Sequence, residues 1–193
     1  GNYSSGKMGF ALAEACAERG AEVTLVAGPV SLKTHHPAIK RIDVESAGEM
    51  YQAAMTAFPS SDAAILCAAV ADYRPENASE QKIKRETEGE MTLHLVPNPD
   101  IAASLGAIKR EGQVMVGFAL ETNDEATHAE GKLKRKNLDF IVLNSLRDQG
   151  AGFRCDTNKI TIIDNAGGVT SYPLKTKREV ACDIVNKLVT LLK

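Results

Sequence analysis

The feature that most constrains this chain is a set of short, continuously apolar runs separated by helix-patterned stretches. Ala63 to Ala69 (AAILCAA), Val114 to Ala119 (VMVGFA) and Asp139 to Leu143 (DFIVL) lack the in–out alternation of a strand with one wet face. Such runs suit strands covered on both faces, as in a parallel sheet sandwiched between helices. Glu22 to Ala27 (EVTLVA) is a further short, β-branched apolar run, and Lys40 to Val44 (KRIDV) reads as a weaker strand. Between them, Met8 to Arg19 places Phe10, Leu12, Ala13, Cys16 and Ala17 at helical spacing and stops at Gly20. Ser46 and Glu49 have the spacing of a capping box and open a helix running to about Phe58.

The second half continues the pattern. A polar stretch from Asp72 to Gly89 reads as a long connection, and Met91 to Val96 (MTLHLV) as a strand. Asn98 or Asp100 caps the helix that follows. Asn123 to about Lys136 is a highly charged helix, and Arg178 to Leu192 carries an apolar stripe at Val180, Ile184, Val185, Leu188 and Leu192. Lys159 to Ile163 and Val169 to Tyr172 flank the turn residues Asp164 to Gly168, a hairpin signature. The expected fold class is therefore α/β: a doubly wound, mostly parallel, Rossmann-like sheet with a late antiparallel hairpin. Residues 1–193 are expected to form a single domain. Such a domain opens with a strand feeding its first helix, and here the turn before that helix comes first. The expectation is a first strand encoded upstream, so that the domain is N-terminally incomplete. In these sheets ligands bind beyond the carboxyl ends of the strands. The turn after Ala69, residues 97–102, the turn after Phe118 and the turn after Leu143 all fall there.

Composition narrows the function. The chain has a net charge of −2 and no Trp, which argues against nucleic acid as a partner. No apolar run is long enough to span a bilayer and no signal peptide is visible, so no membrane association is expected. Cys16, Cys67, Cys155 and Cys182 are widely spaced, which fits small core residues and a reducing cytoplasm.

The opening segment GNYSSGKMG nearly matches a P-loop, with Gly1, Gly6 and Lys7 in place. Met8 stands where that motif needs a Ser or Thr for magnesium. What remains is an anion site at a helix N-terminus, or a plain cap made by Ser4 or Ser5. Small residues Ala68 to Ala71 after the strongest strand let a ligand approach the backbone, and Asp72 can accept hydrogen bonds there. Lys82 and Lys84 on the polar connection suit phosphate capture, or are simply solvated. Lys132 and Lys136, four apart, share a helix face. His35-His36-Pro37 lacks further ligands at metal spacing and reads as loop.

Taken in chain order, Asn2-x-Ser4-Ser5-Gly6-Lys7-Met8-Gly9, Gly28-Pro29-Val30-Ser31-Leu32, Ala68-Ala69-Val70-Ala71-Asp72-Tyr73, Lys82-Ile83-Lys84, Asn98-Pro99-Asp100-Ile101, Gly117-Phe118-Ala119-x-Glu121-Thr122 and Lys132-x3-Lys136-Asn137-x-Asp139 form a distinctive set. The set resembles phosphopantothenate–cysteine ligases (phosphopantothenoylcysteine synthetases), the second enzyme domain of bacterial bifunctional coenzyme A biosynthesis proteins. The resemblance implies ligation of 4′-phosphopantothenate and L-cysteine through an acyl-cytidylate, with CTP as the activating nucleotide and Mg2+ accompanying it.

By the same resemblance, Asn2 holds the acyl-cytidylate and Lys82 neutralises phosphate charge. Ala68, Ala69 and Asp72 line the nucleotide, and Pro99, Asp100, Ile101 and Ala102 meet it at a helix N-terminus. Phe118 contacts it, and Lys132 and Lys136 bind its phosphates. The metal's ligands are not assigned. The resemblance further implies a homodimer and fusion to, or association with, a flavin-dependent phosphopantothenoylcysteine decarboxylase domain, with no flavin in this chain. Two alternatives stay open: an NAD(P)-binding oxidoreductase of Rossmann type, for which the glycines of the opening segment are wrongly spaced, and a non-catalytic nucleotide-sensing domain.

Overall fold

The computed structural model describes residues 4–77, 79, 81, 91–121, 125–145 and 155–192. Its central sheet is built from the runs singled out above. β3 (Ala63–Leu66), β6 (Val114–Glu121) and β7 (Phe140–Ser145) lie parallel, and β9 (Ile160–Asp164) and β10 (Val169–Ser171) extend the sheet antiparallel, in the order β10-β9-β7-β6-β3. β1 (Val23–Ala27) and β2 (Ile39–Asp43) form a separate parallel pair. Among the described residues no ladder joins β1 to β3.

Alternate residues of each central strand point to opposite helical layers. Val114, Val116, Phe140, Val142, Ile160 and Ile162 pack with Leu12 and Ala15 of α1 (Lys7–Ala17) and with Val180, Ile184 and Leu188 of α5 (Lys177–Leu191). Met115, Ile141, Leu143 and Ile163 face the other way. They meet Leu105 of α3 (Ile101–Ile108) and Ala129 and Leu133 of α4 (Glu125–Arg135), with Met55 of α2 (Ala47–Ala57) beside them. Both faces are thus covered, which is why these strands read as unbroken apolar runs. The α/β expectation and the late hairpin agree with this arrangement.

Caps behave as local chemistry dictates. Ser46 and Glu49 form the capping box of α2, and Thr176 and Glu179 form another for α5. Asp100, not Asn98, caps α3 by accepting from the Ala103 N–H. At α1 the N-cap is Gly6, at φ 77°, and no side chain caps the helix. Ser4, expected with Ser5 as a possible cap, accepts the Gly6 N–H on its Oγ at 3.4 Å, one residue ahead of the helix, and the N-cap position itself belongs to Gly6.

Some boundaries also differ from expectation. The strand from Ala63 stops at Leu66, and the polar connection begins with β4 (Tyr73–Pro75). The strand expected at 91–96 is confined to β5 (Leu95–Pro97), paired antiparallel with β4. Outside the central sheet, β8 (Thr157–Asn158) pairs with β11 (Lys175–Thr176) in front of α5. No helix among the described residues is long and apolar enough to cross a membrane.

Candidate functional site at the carboxyl edge of the sheet

The parallel strands deliver their carboxyl ends to one edge. In register, Leu66 lies beside Gly117, Phe118 beside Val142 and Leu120 beside Asn144. The turn from Cys67 to Asp72 therefore leaves β3 next to Phe118. Within it Ala68 and Asp72 are exposed and Ala69 is half-buried. Cys67 packs against α1, where a Cβ on Gly9 would lie 3.3 Å from its Sγ. Burial pushes this thiol up to about 11, so it stays protonated near neutral pH.

Asn98 joins this turn to the next one. Its backbone N–H donates to the Asp72 carbonyl at 2.8 Å, and its Nδ2 donates to the Ala71 carbonyl at 2.8 Å. Arg74 adds a bond from Nη1 to the Pro97 carbonyl at 2.7 Å. The segment Ala68–Asp72 and the N-terminus of α3 are thereby held as one unit. Asn98 had no site role in the sequence beyond a cap. Its signal was the Asx position ahead of Pro99, which fits a residue bonding local backbone.

Lys136 reaches the same place from the other side. It follows the last residue of α4, donates its backbone N–H to the Lys132 carbonyl, and places Nζ 3.0 Å from the Asp100 carboxylate. Burial alone would raise the Asp100 carboxyl, but the Ala103 N–H and the Lys136 ammonium outweigh it and hold it below its ordinary range. Lys132 lies one turn earlier, half-buried, at the cationic end of α4.

Below this pair the packing is close. A Cβ on Gly106 would fall 2.2 Å from the Lys136 carbonyl oxygen. Asn137 adopts a left-handed φ of 51° and donates Nδ2 to the Gly106 carbonyl at 3.0 Å. Lys109 donates to the Asn137 carbonyl at 3.2 Å and to Asp139 Oδ2 at 2.6 Å, and that carboxylate also accepts from the Met115 N–H. This lock sets the position of α3 against the Lys136–Asp139 turn.

The N-terminus of α1 lies on the opposite helical layer. Lys7, the residue matching the P-loop lysine, is engaged by Asp156 at 2.5 Å. Val30 packs against Gly6, where an added Cβ would lie 3.2 Å from the Val30 side chain. Arg41 holds that loop by donating to the carbonyls of Leu32 and Val30 while its guanidinium sits over the Phe10 ring. Near β8, Lys177 donates to Asn158 Oδ1 at 3.0 Å and to the Cys155 carbonyl, and burial lowers its pKa.

Of the sequence-derived residues, Ala68, Ala69, Asp72 and Phe118 lie at the carboxyl ends of β3 and β6, and Asn98 ties Pro99, Asp100, Ile101 and Ala102 to them; Lys136 reaches Asp100 from the turn ahead of β7, with Lys132 one helical turn earlier. Asn2, Lys82 and Lys84 lie outside the described residues. Among the described residues no three His, Cys, Asp or Glu side chains converge as a metal cage, and the His35-His36 loop is no exception.

Known proteins share this architecture. Residues 1–192 match the family model of the DNA/pantothenate metabolism flavoprotein C-terminal domain. A protein named cysteine/cysteine sulfinic acid decarboxylase, from an unknown prokaryotic organism, is 58% identical over 99% of this chain and 53% of its own length. The coenzyme A biosynthesis bifunctional protein CoaBC of Vibrio parahaemolyticus is 47% identical over 99% of this chain and 48% of its own length. The chain thus spans about half the length of these relatives. The crystal structure of the C-terminal domain of a CoaBC protein superposes with a TM-score of 0.81 at 38% identity, covering 98% of this chain and 86% of that one. A Cab2 mutant solved in complex with phosphopantothenate-cysteine shares the fold at a TM-score of 0.73 and 15% identity, covering 98% of this chain and 80% of that one. The chain therefore belongs to the family of the DNA/pantothenate metabolism flavoprotein C-terminal domain, which it shares with the C-terminal domain of CoaBC.

Proposed function

We propose that this chain is the phosphopantothenate–cysteine ligase domain of a coenzyme A biosynthesis protein. The observation that carries the reading is the tie between the Ala68–Asp72 turn at the carboxyl end of β3 and the α3 N-terminus, which the Lys136 ammonium reaches through Asp100, in a chain of this family. A helix N-terminus with an adjacent ammonium is suited to nucleotide phosphates.

The chemistry runs in two steps. The carboxylate oxygen of 4′-phosphopantothenate attacks the α-phosphorus of CTP. An acyl–phosphate bond forms, the α–β phosphoanhydride breaks, and pyrophosphate leaves. The cysteine amine then attacks the acyl carbon, a C–N bond forms, the C–O bond to phosphate breaks, and CMP leaves as the amine loses a proton. Positioning and charge stabilisation do most of the work.

In this scheme Ala68, Ala69 and Phe118 line the nucleotide, and Lys132 and Lys136 balance its phosphates. The N–H groups of Ile101 and Ala102 face the phosphates from α3. Asn2 holds the acyl-cytidylate and Lys82 neutralises the phosphate charge. Mg2+ enters on the triphosphate, which supplies its oxygen ligands with water.

The reading also includes a homodimer. Tyr73, Met91, Leu93 and Leu95 are 61%, 62%, 58% and 54% exposed on or beside the β4–β5 ribbon. A two-stranded ribbon is marginal alone in water, and a second copy would cover this face. The flavin-dependent phosphopantothenoylcysteine decarboxylase half is proposed to be fused to this domain, as the bifunctional CoaBC relatives suggest. Residues 1–193 act as one domain.

The test is pyrophosphate release with CTP, ATP, GTP or UTP in the presence of 4′-phosphopantothenate and Mg2+, followed by CMP release on adding cysteine. Release with CTP supports the reading, and ATP serving equally well removes the CTP assignment. The decarboxylase name of one relative motivates a second reading, cysteine decarboxylation. Release of CO2 from cysteine without nucleotide would favour it.

A further inference from the structure

Asn158 and Lys177 are 3% and 7% exposed, and they bond each other beside the first turn of α1. Lys177, the first residue of α5, donates its ammonium to Asn158 Oδ1 at 3.0 Å and to the Cys155 and Thr157 carbonyls. Its backbone N–H donates to the Asp156 carbonyl at 2.9 Å. One lysine thus holds the consecutive residues 155 to 158. That segment in turn meets α1. Asp156 Oδ1 accepts from Lys7 Nζ at 2.5 Å, and Asn158 Nδ2 lies 3.5 Å from Met8 Sδ. Because its Oδ1 accepts from Lys177, the Asn158 carboxamide presents its donor side to Met8.

Helix α1 depends on such outside support. Its N-cap is Gly6 and no side chain caps it, so its first turn is set by packing. Val30 presses on Gly6, and segment 155–158 meets Lys7 and Met8. Asn2 lies five positions ahead of Lys7 in the sequence. Burying an ammonium carries a desolvation cost that an apolar side chain of similar length avoids. What the charge adds here is a set of directed donors that fix one course of backbone. We infer that Lys177 is a positioning residue for the ligation: through Asp156 and Asn158 it fixes the first turn of α1, and with it the segment that carries Asn2. It acts through these residues and touches no substrate. The inference rests on the ligase reading for the role of Asn2.

Lys177→Met in the complete chain tests it, beside Asp156→Ala and the double variant. The Asp156 side chain is 84% exposed, so its loss leaves the core intact and decides the matter should Lys177→Met not fold. Positioning predicts that kcat for ligation falls roughly 10- to 100-fold in Lys177→Met, the scale of about a 1 Å misplacement, while the CTP KM stays at its wild-type value. The nucleotide's own contacts at Ala68, Phe118 and Lys136 are untouched. Asp156→Ala gives a smaller fall in kcat, again at unchanged CTP KM, and the double variant is no slower than Lys177→Met, because both act along one route. Thermal melts on the same preparations, with rates taken well below each midpoint, separate stability from turnover. A lower melting temperature with wild-type kcat overturns the inference, since Lys177 would then hold the fold alone. Effects that multiply in the double variant, or a CTP KM that rises with the fall in kcat, overturn it too. Wild-type CMP release, run alongside, separates the cases: its absence removes the ligase reading, whereas its presence with normal variant kcat removes only the role of Lys177.

Discussion

Gly106→Ala is the substitution whose consequence the structure sets most narrowly. The new Cβ would lie 2.2 Å from the Lys136 carbonyl oxygen, 2.8 Å from its carbonyl carbon and 3.2 Å from Asn137 Cβ. Two of these neighbours are backbone, so no side-chain rotation relieves the clash. Restoring ordinary contact requires α3 and the Lys136–Asn137 turn to part by about 1 Å, an overpacking cost of roughly 1–3 kcal/mol or somewhat more. That movement also stretches the Asn137 Nδ2 bond to the Gly106 carbonyl, now 3.0 Å. For a chain of this size each 1 kcal/mol is worth about 2–4 °C, so thermal unfolding should fall by about 2–12 °C. Because the same two elements carry Asp100 and Lys136, the KM for nucleotide should rise more than the KM for cysteine. Calorimetry and steady-state kinetics on one preparation measure both. An unchanged melting temperature would refute the claim that backbone packing at Gly106 sets this geometry, and equal rises in both KM values would refute its link to Lys136.

Asn98→Ala removes the Nδ2 bond to the Ala71 carbonyl. It should destabilise by about 1 kcal/mol and raise the nucleotide KM, both visible in urea titration and initial-rate assays. Cys67, with its thiol pushed up to about 11 by burial, should resist iodoacetamide at pH 8 in the folded protein and react after denaturation, read by peptide mass spectrometry. Asp164 is held below its ordinary carboxyl range by Lys187, by the Gly168 N–H and, more weakly, by the Ala166 N–H. A carboxyl depressed in the folded state stabilises above its unfolded pKa of about 4, and this stability is lost as pH falls through the lower folded value. Asp164→Asn should therefore lose less stability than wild type between pH 5 and 3 on a thermal-melt series, each pH being approximate to the unfolded reference. An identical acid slope in both proteins would rule this contribution out.

The sheet was legible because it depends on patterns local in sequence. The apolar runs at 63–69, 114–119 and 140–143 announced strands covered on both faces, since no polar residue interrupts either side. Capping at Ser46 and the hairpin around Asp164 were legible for the same reason, each being a contact over a few residues. The motifs carrying the family resemblance were likewise contiguous segments.

What the tertiary structure decided are contacts between segments far apart in the chain. Asp100 alone could be a cap; only packing places the Lys136 ammonium against it. Lys7 stands in the P-loop position by sequence, and only the fold brings Asp156 to it across 149 residues. The glycine at 106 reads as a weak spot in a helix until the Lys136 carbonyl closes on it. Asn144 carries no motif, and only the folded chain shows its side-chain oxygen buried without a hydrogen-bond partner. Periodicity, caps and turns reflect the free energy of neighbouring residues, which sequence displays directly. Pairing, clash and desolvation depend on which distant groups the fold brings within a few ångströms, and only the folded chain sets those distances.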